Sequence, residues 1–218
     1  MRVGRERVAR VLFGFGLVIV APRMAASSEP PVIVAPTRAL HILLTVAPGL
    51  PEASRAVLIS EATELWGRAG VQLIWTAGSD GSVPPHRMLR VLVIPRRSGV
   101  RESVDKHVLG ELLGFGRPGA LAVASIERAQ RLIASWRGSS IGPQSLHDAR
   151  LGLVLGRVVA HEIGHYLLGT ATHSRTGLMR ATFESPDLMD HRSPAYDLDA
   201  EAAAQLRNSP PGAQLSRR

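Results

Sequence analysis

The sequence contains no cysteine, a single lysine (Lys106), and aromatic residues at only 4% of its 218 positions. Each shortage excludes something. Without thiols there is no disulfide framework and no lipid-modified N-terminal cysteine. With one lysine and no basic stretch interleaved with aromatics, the usual signatures of a nucleic-acid module are missing. No apolar run is long enough to read as a membrane span either: Val11 to Ala21 falls well short of the roughly 20 residues that a helix needs to cross a bilayer.

That short run has a different meaning in its context. Arg2, Arg5, Arg7 and Arg10 precede it, and the small residues Ala25, Ala26, Ser27 and Ser28 follow, which is the layout of a secretory signal peptide. No Arg-Arg pair stands in the charged segment, so general secretion is expected rather than twin-arginine export. An uncleaved anchor is the alternative. The chain is therefore expected to be secreted or periplasmic, with residues 1–26 removed, and export without cysteine fits a bacterial protein better than an animal one. The formal charge is +8, but five arginines and one glutamate precede Ser27, which leaves +4 on the remainder. No nucleic-acid partner is expected, nor stable membrane insertion after signal removal. Arg96, Arg97 and Arg101 read as solvated loop charges, with a basic patch beside a cleft as the alternative.

The stretch that carries chemistry is His161-Glu162-Ile163-Gly164-His165. On a helix, residues four apart lie within about 40° of one another and one turn apart, so both imidazoles can reach one metal ion. Extending the wheel back to Leu151 gives an apolar stripe of Leu151, Leu155, Val158, Val159 and Tyr166, with Glu162 in its middle and the histidines at its edge. A carboxylate on an apolar face loses hydration, and its pKa rises toward the range of a general base. H-E-x-x-H is the pattern in which two histidines bind zinc and the glutamate activates water.

A hydrolytic zinc site takes three protein ligands and keeps a fourth position for water. Three candidates compete for the third. His173 would lie about 18 Å beyond His161 on a continuous helix, and reaches the metal only if the chain turns back. Gly169 supplies such a turn, because glycine ends helices in the left-handed conformation without steric cost. Glu184, in a gluzincin-like position, and the acidic cluster of Asp187 and Asp190 with His191 follow in that order. His41, His86, His107 and His147 have no ligand spacing.

From His161 through Gly169 and His173 to Gly177-Leu178-Met179, the sequence resembles the metzincin zinc peptidases, particularly the matrixin-like branch. The resemblance implies that His161, His165 and His173 are Zn2+ ligands, that Glu162 is the base, and that Met179 forms the methionine turn beneath the metal. It departs from the family spacing by one residue before Gly169 and one after it. The cysteine with which some matrixin-like propeptides mask the metal is lacking here.

The implied fold is α+β and zincin-like, a twisted, mostly parallel sheet packed on the active-site helix, with a C-terminal helix. Strands are expected at Ala39–Val46, Val71–Thr76, Met88–Pro95 and Gly119–Ile126, and a helix from Pro51 to Gly70. Ser145 and Asp148 form a capping-box pattern, which starts the long helix near Leu146 and runs it to about Leu168. Gly152 and Gly156 within it would admit close approach of the sheet or stand as tolerated surface residues. A last helix is expected over Asp199–Arg207. The proline-rich residues 27–38 read as a linker or short prosegment, 39–208 as the catalytic domain and 209–218 as a flexible tail. Together these readings describe a monomeric zinc endopeptidase acting on peptide or protein substrates, which would pair with the exposed edge of Gly119–Ile126. A non-catalytic extracytoplasmic zinc-binding protein is the alternative, and the presence of Glu162 argues against it.

Overall fold

In the computed structural model, residues 38–76, 88–95, 109–114, 119–136, 142–183, 185–190 and 194–208 are described. Strand β1 (Arg38–Val46) leads through Pro51 into helix α1 (Glu52–Arg68), and β2 (Val71–Thr76), β3 (Met88–Ile94), β4 (Gly110–Leu113) and β5 (Leu121–Ser125) follow. Helix α2 (Ile126–Ser135) continues directly from β5, and the long helix α3 (Gln144–Leu168) comes next. A short helix α4 (Ser185–Met189), a 3-10 turn (Pro194–Tyr196) and helix α5 (Ala200–Asn208) complete the described chain. All of these elements belong to one compact unit, Val34–Arg218. The signal-peptide and linker expectations fall outside the described residues, as do Arg96, Arg97 and Arg101. Among the described residues no helix is long and apolar enough to cross a membrane.

The fold is α+β with a five-stranded, mostly parallel sheet in the order β2-β1-β3-β5-β4. Strands β1, β2, β3 and β5 are parallel neighbours, while β4 runs antiparallel to β5 at the edge. Period-2 side-chain alternation sends Leu40, Ile42 and Leu44 of β1, and Leu89, Val91 and Val93 of β3, to one buried face. Helices α1 and α3 pack there and on each other.

Two expectations about α3 change. Its N-cap is Pro143, with no side-chain capping bond, and Asp148 accepts instead from Gln144 Nε2 at 2.8 Å. Helix α3 already begins at Gln144, so Ser145 lies inside its first turn and cannot serve as the cap. The glycines face α1 rather than the sheet. A Cβ on Gly152 would strike the Ser54 carbonyl oxygen, and one on Gly156 would come within 2.9 Å of the Leu58 carbonyl oxygen. At this crossing Ser54 Oγ donates to Asp148 O (2.8 Å) and Trp66 Nε1 to Ala160 O (3.1 Å). From Leu151 to Leu168 every residue of α3 is buried, so the helix is enclosed all round rather than along one stripe.

Candidate metal centre

The last turns of α3 place His161, Glu162 and His165 inside the protein, at 8%, 5% and 7% exposure. Gly169 then adopts φ 63°, its N–H capping the His165 carbonyl at 3.1 Å, and the chain turns back. This reversal brings the exposed His173 over the pair: its ring stacks on His161 at 5.3 Å and meets His165 edge-on at 4.9 Å. One nitrogen from each of the three histidines lies within 4.8 Å of the others, so the three could hold a metal ion.

Two backbone carbonyls set the orientation of the buried pair. His161 Nδ1 sits 2.8 Å from Leu178 O, and His165 Nδ1 2.8 Å from Thr170 O. With Nδ1–H donating to a carbonyl, each neutral ring presents the lone pair of Nε2, the usual second-sphere arrangement of a ligating histidine. The two Nε2 atoms face one another at 3.1 Å. Two nitrogens bound tetrahedrally to one zinc ion would stand about 3.4 Å apart, so the donor set fits such an ion, and a cation between the atoms relieves the opposition of their lone pairs. Burial pushes His161 down to about 4, with the neighbouring histidines adding to the shift and the Leu178 carbonyl opposing it. Burial also lowers His165. Both are thus neutral near pH 7, as metal ligation requires.

Leu178 and Met179 reach the site through a tight turn. Ser174 N–H donates to Met179 O (2.8 Å), Arg180 N–H to Gly177 O (3.3 Å) and Leu178 N–H to Asp197 O (3.0 Å). Met179 is buried against Gly164, where a Cβ would collide with its Sδ. The glycine between the two histidines therefore makes room for the methionine.

The strand over Glu162 is not the expected one. Gly119–Ile126 forms β5, which is hydrogen-bonded to β3 on one side and β4 on the other, so it offers no open edge. The edge belongs to β4, which is too short for a visible alternation. Ser125 N–H donates to Leu109 O at 3.0 Å, and the register Gly110↔Ala124, Glu111↔Val123, Leu112↔Ala122 then alternates from that bonded pair. Gly110 and Leu112 consequently turn their backbone groups away from β5, and the Leu112 N–H donates to the Glu162 carboxylate. Gly110 permits the approach, since a Cβ there would lie 2.9 Å from Glu162 Oε1 and 2.5 Å from Val158 Cγ1. Burial, reinforced by the nearby Glu111 carboxylate and opposed by the Leu112 amide, raises Glu162 to about 8. A divalent cation on the three imidazoles would draw it down again.

The chain matches no protein-family model and no curated protein. A cleft of about 730 Å³ opens beside the histidines, walled by β4, by α2 through Leu132, and by Phe183 and Leu188. Asp187 does not join the metal group; its carboxylate is bound by Arg180 at 2.6 Å. Glu184 and His191 lie outside the described residues. The sequence reading missed Gly110, Leu112, Phe183 and Arg157. Of these Arg157 left a signal, as a lone charge inside the apolar run from Val154 to Ala160.

Proposed function

We propose that the chain is an exported zinc-dependent endopeptidase of zincin-like, matrixin-like type, in which His161, His165 and His173 hold the ion. The observation that carries this reading is the combination of three converging imidazoles with a buried carboxylate one residue from the first of them. A structural zinc site closes its coordination with a fourth protein ligand and needs no base.

His161, His165 and His173 would hold the ion, which would supply Lewis acidity toward a peptide carbonyl and toward water. The remaining work falls to side chains. Glu162 accepts the proton of the attacking water on its carboxylate and returns it to the leaving amine. The Leu112 amide fixes one orientation of that carboxylate, and the apolar walls of Val158 and Leu112 limit water around it. An extended peptide would add to the outer edge of β4 through the backbone groups of Gly110 and Leu112. To do so it must displace Glu162 from the Leu112 amide, which frees the carboxylate as substrate arrives.

The test is metal analysis of the purified mature chain together with cleavage of an unbiased peptide library by wild type and Glu162→Gln. The expected result is about one zinc per chain in both proteins and a loss of hydrolysis of at least about 10³-fold in the variant, the scale of a lost general base. Equal cleavage by a zinc-loaded Glu162→Gln protein would remove the mechanism. A wild type that carries zinc but cuts nothing would favour the non-catalytic binding protein.

A further inference from the structure

One turn before His161, α3 carries an arginine that is 2% exposed. Burying a guanidinium is costly unless its donors are matched. Here each arm has a partner. Nε donates to Glu61 Oε1 on α1 at 2.8 Å, Nη1 to Asp187 O at 2.6 Å and Nη2 to Asp190 O at 2.7 Å, while the guanidinium carbon lies 4.1 Å from the centre of the Tyr196 ring. Asp187 is held from its other side by Arg180, whose Nη2 binds the carboxylate at 2.6 Å and whose guanidinium covers Phe183 at 4.6 Å. Phe183 in turn stacks on Tyr196 (5.2 Å, 14°) and meets His161 edge-on at 5.8 Å.

These contacts converge on one part of the cleft. Phe183 and Leu188 form part of the cleft wall, and they sit in a stretch whose regular structure is a five-residue helix. So short a helix has little intrinsic stability, and its position is set by what grips it. We infer that Arg157 is a positioning residue that fixes this wall, and with it the width of the cleft that receives the side chain next to the scissile bond. The inference rests on the peptidase reading for its consequence in substrate choice, but the clamp itself is independent of turnover.

The mechanism of the clamp is the fork geometry of arginine. A guanidinium presents donors in fixed directions and can serve Glu61 and two carbonyls at once, whereas the ammonium of lysine is a compact point charge. Arg157→Lys keeps the charge beside Glu61 and loses the simultaneous hold on Asp187 and Asp190. The zinc-loaded variant and wild type would be compared by steady-state kinetics on peptides that differ only beside the scissile bond, and by hydrogen exchange. The expected result is a KM raised about tenfold for large apolar side chains, with kcat changed less than about threefold and discrimination among side chains flattened. Amides of 185–190 would exchange faster while those of α3 and the sheet keep their protection.

Uniform loss of protection throughout the protein, or a fall in kcat at constant KM and constant discrimination, would overturn the inference in favour of a purely structural ion pair. If wild type binds zinc but cleaves nothing, the peptidase reading fails while the exchange comparison still decides the clamp. Should Arg157→Lys fail to fold, Glu61→Gln provides the same measurements. It keeps the shape of the side chain that receives Arg157 Nε at 2.8 Å but removes the charge that anchors the guanidinium. A smaller shift in the same direction supports the clamp, and unchanged exchange at 185–190 overturns it.

Discussion

His161 and His165 stand on a helix that is buried on every side, whereas His173 stands exposed on the loop that follows it. The first two are fixed before any ion arrives: the helix sets their spacing, and the carbonyls of Leu178 and Thr170 set their ring planes. The third is delivered by a reversal of the chain at Gly169, and its ring is placed by contact with the other two. The pair is rigid and the third member more adaptable: α3 continues to Leu168 and ends at Gly169, and the irregular residues 170–172 then lead to His173.

Ligand removal is the strongest way to break this contrast. His165→Ala should weaken zinc affinity by well over the roughly 10–100-fold that losing an outer-sphere partner costs. His173→Ala should also weaken it, but less, since the preformed pair remains. Competition with a chelator would read both constants, and a larger loss from His173→Ala would reverse the proposed hierarchy.

A second test acts on the platform beneath the pair. Gly152→Ala improves helix propensity by about 1 kcal/mol, but its Cβ meets backbone of α1. Overpacking should prevail, with a net loss on the order of 1–3 kcal/mol in denaturant unfolding. A stabilised variant would show that α1 and α3 are not held in close contact.

The helix also sets the pH response of the metal-free protein. Glu162, raised from 4.5 to about 8, contributes stability that is complete below pH 4.5 and is lost as the pH rises through 8. His161, lowered from 6.5 to about 4, contributes stability that is present above pH 6.5 and is lost as the pH falls through 4. Burial lowers His165 in the same direction as His161, so melting temperatures in chelator should pass through a maximum near pH 6.5 and decline on both sides. Glu162→Gln should flatten the alkaline decline; an unchanged alkaline limb would show that the carboxylate is not held in its neutral form.

The smallest effect belongs to the loop. Thr172→Ala removes an exposed hydroxyl contact with Thr170 Oγ1 at 2.7 Å but keeps the Thr172 N–H bond to the same oxygen. A change in stability within about 0.5 kcal/mol is expected. A larger loss, measured by thermal unfolding, would mean that the loop is as tightly organised as the helix.

The helix half of this comparison was legible in the sequence because period and burial coincide there. Leu58, Ala62, Leu65 and Trp66 mark the buried face of α1, and the alternating residues of β1 and β3 mark theirs. Strand β4 was not legible, because four residues that begin with Gly110 and end before Gly114 carry too little pattern. Helix α2 was hidden for a different reason: the strand passes into the helix with no glycine or proline between them, and the signal at the junction is the single residue Ser125, whose hydroxyl accepts from the Arg128 N–H. His161 and His165 were marked by their spacing on one helix face, Glu162 by its place on the apolar stripe, and His173 by the turn that Gly169 permits. The contacts that orient them come from the Leu178 and Thr170 carbonyls and the Leu112 amide, and backbone groups carry no sequence signature.

The bonds that tie α1 to α3 join residues far apart in the chain: 94 positions for Ser54 to Asp148 and for Trp66 to Ala160, and 96 for Glu61 to Arg157. Contacts of such separation are slow to form, because the loop must close before they are rewarded. During synthesis α1 emerges long before its partner, with the apolar side of Leu58, Leu65 and Trp66 still uncovered. The packing that buries His161 and His165 is consequently expected to assemble late, once these distant segments have met.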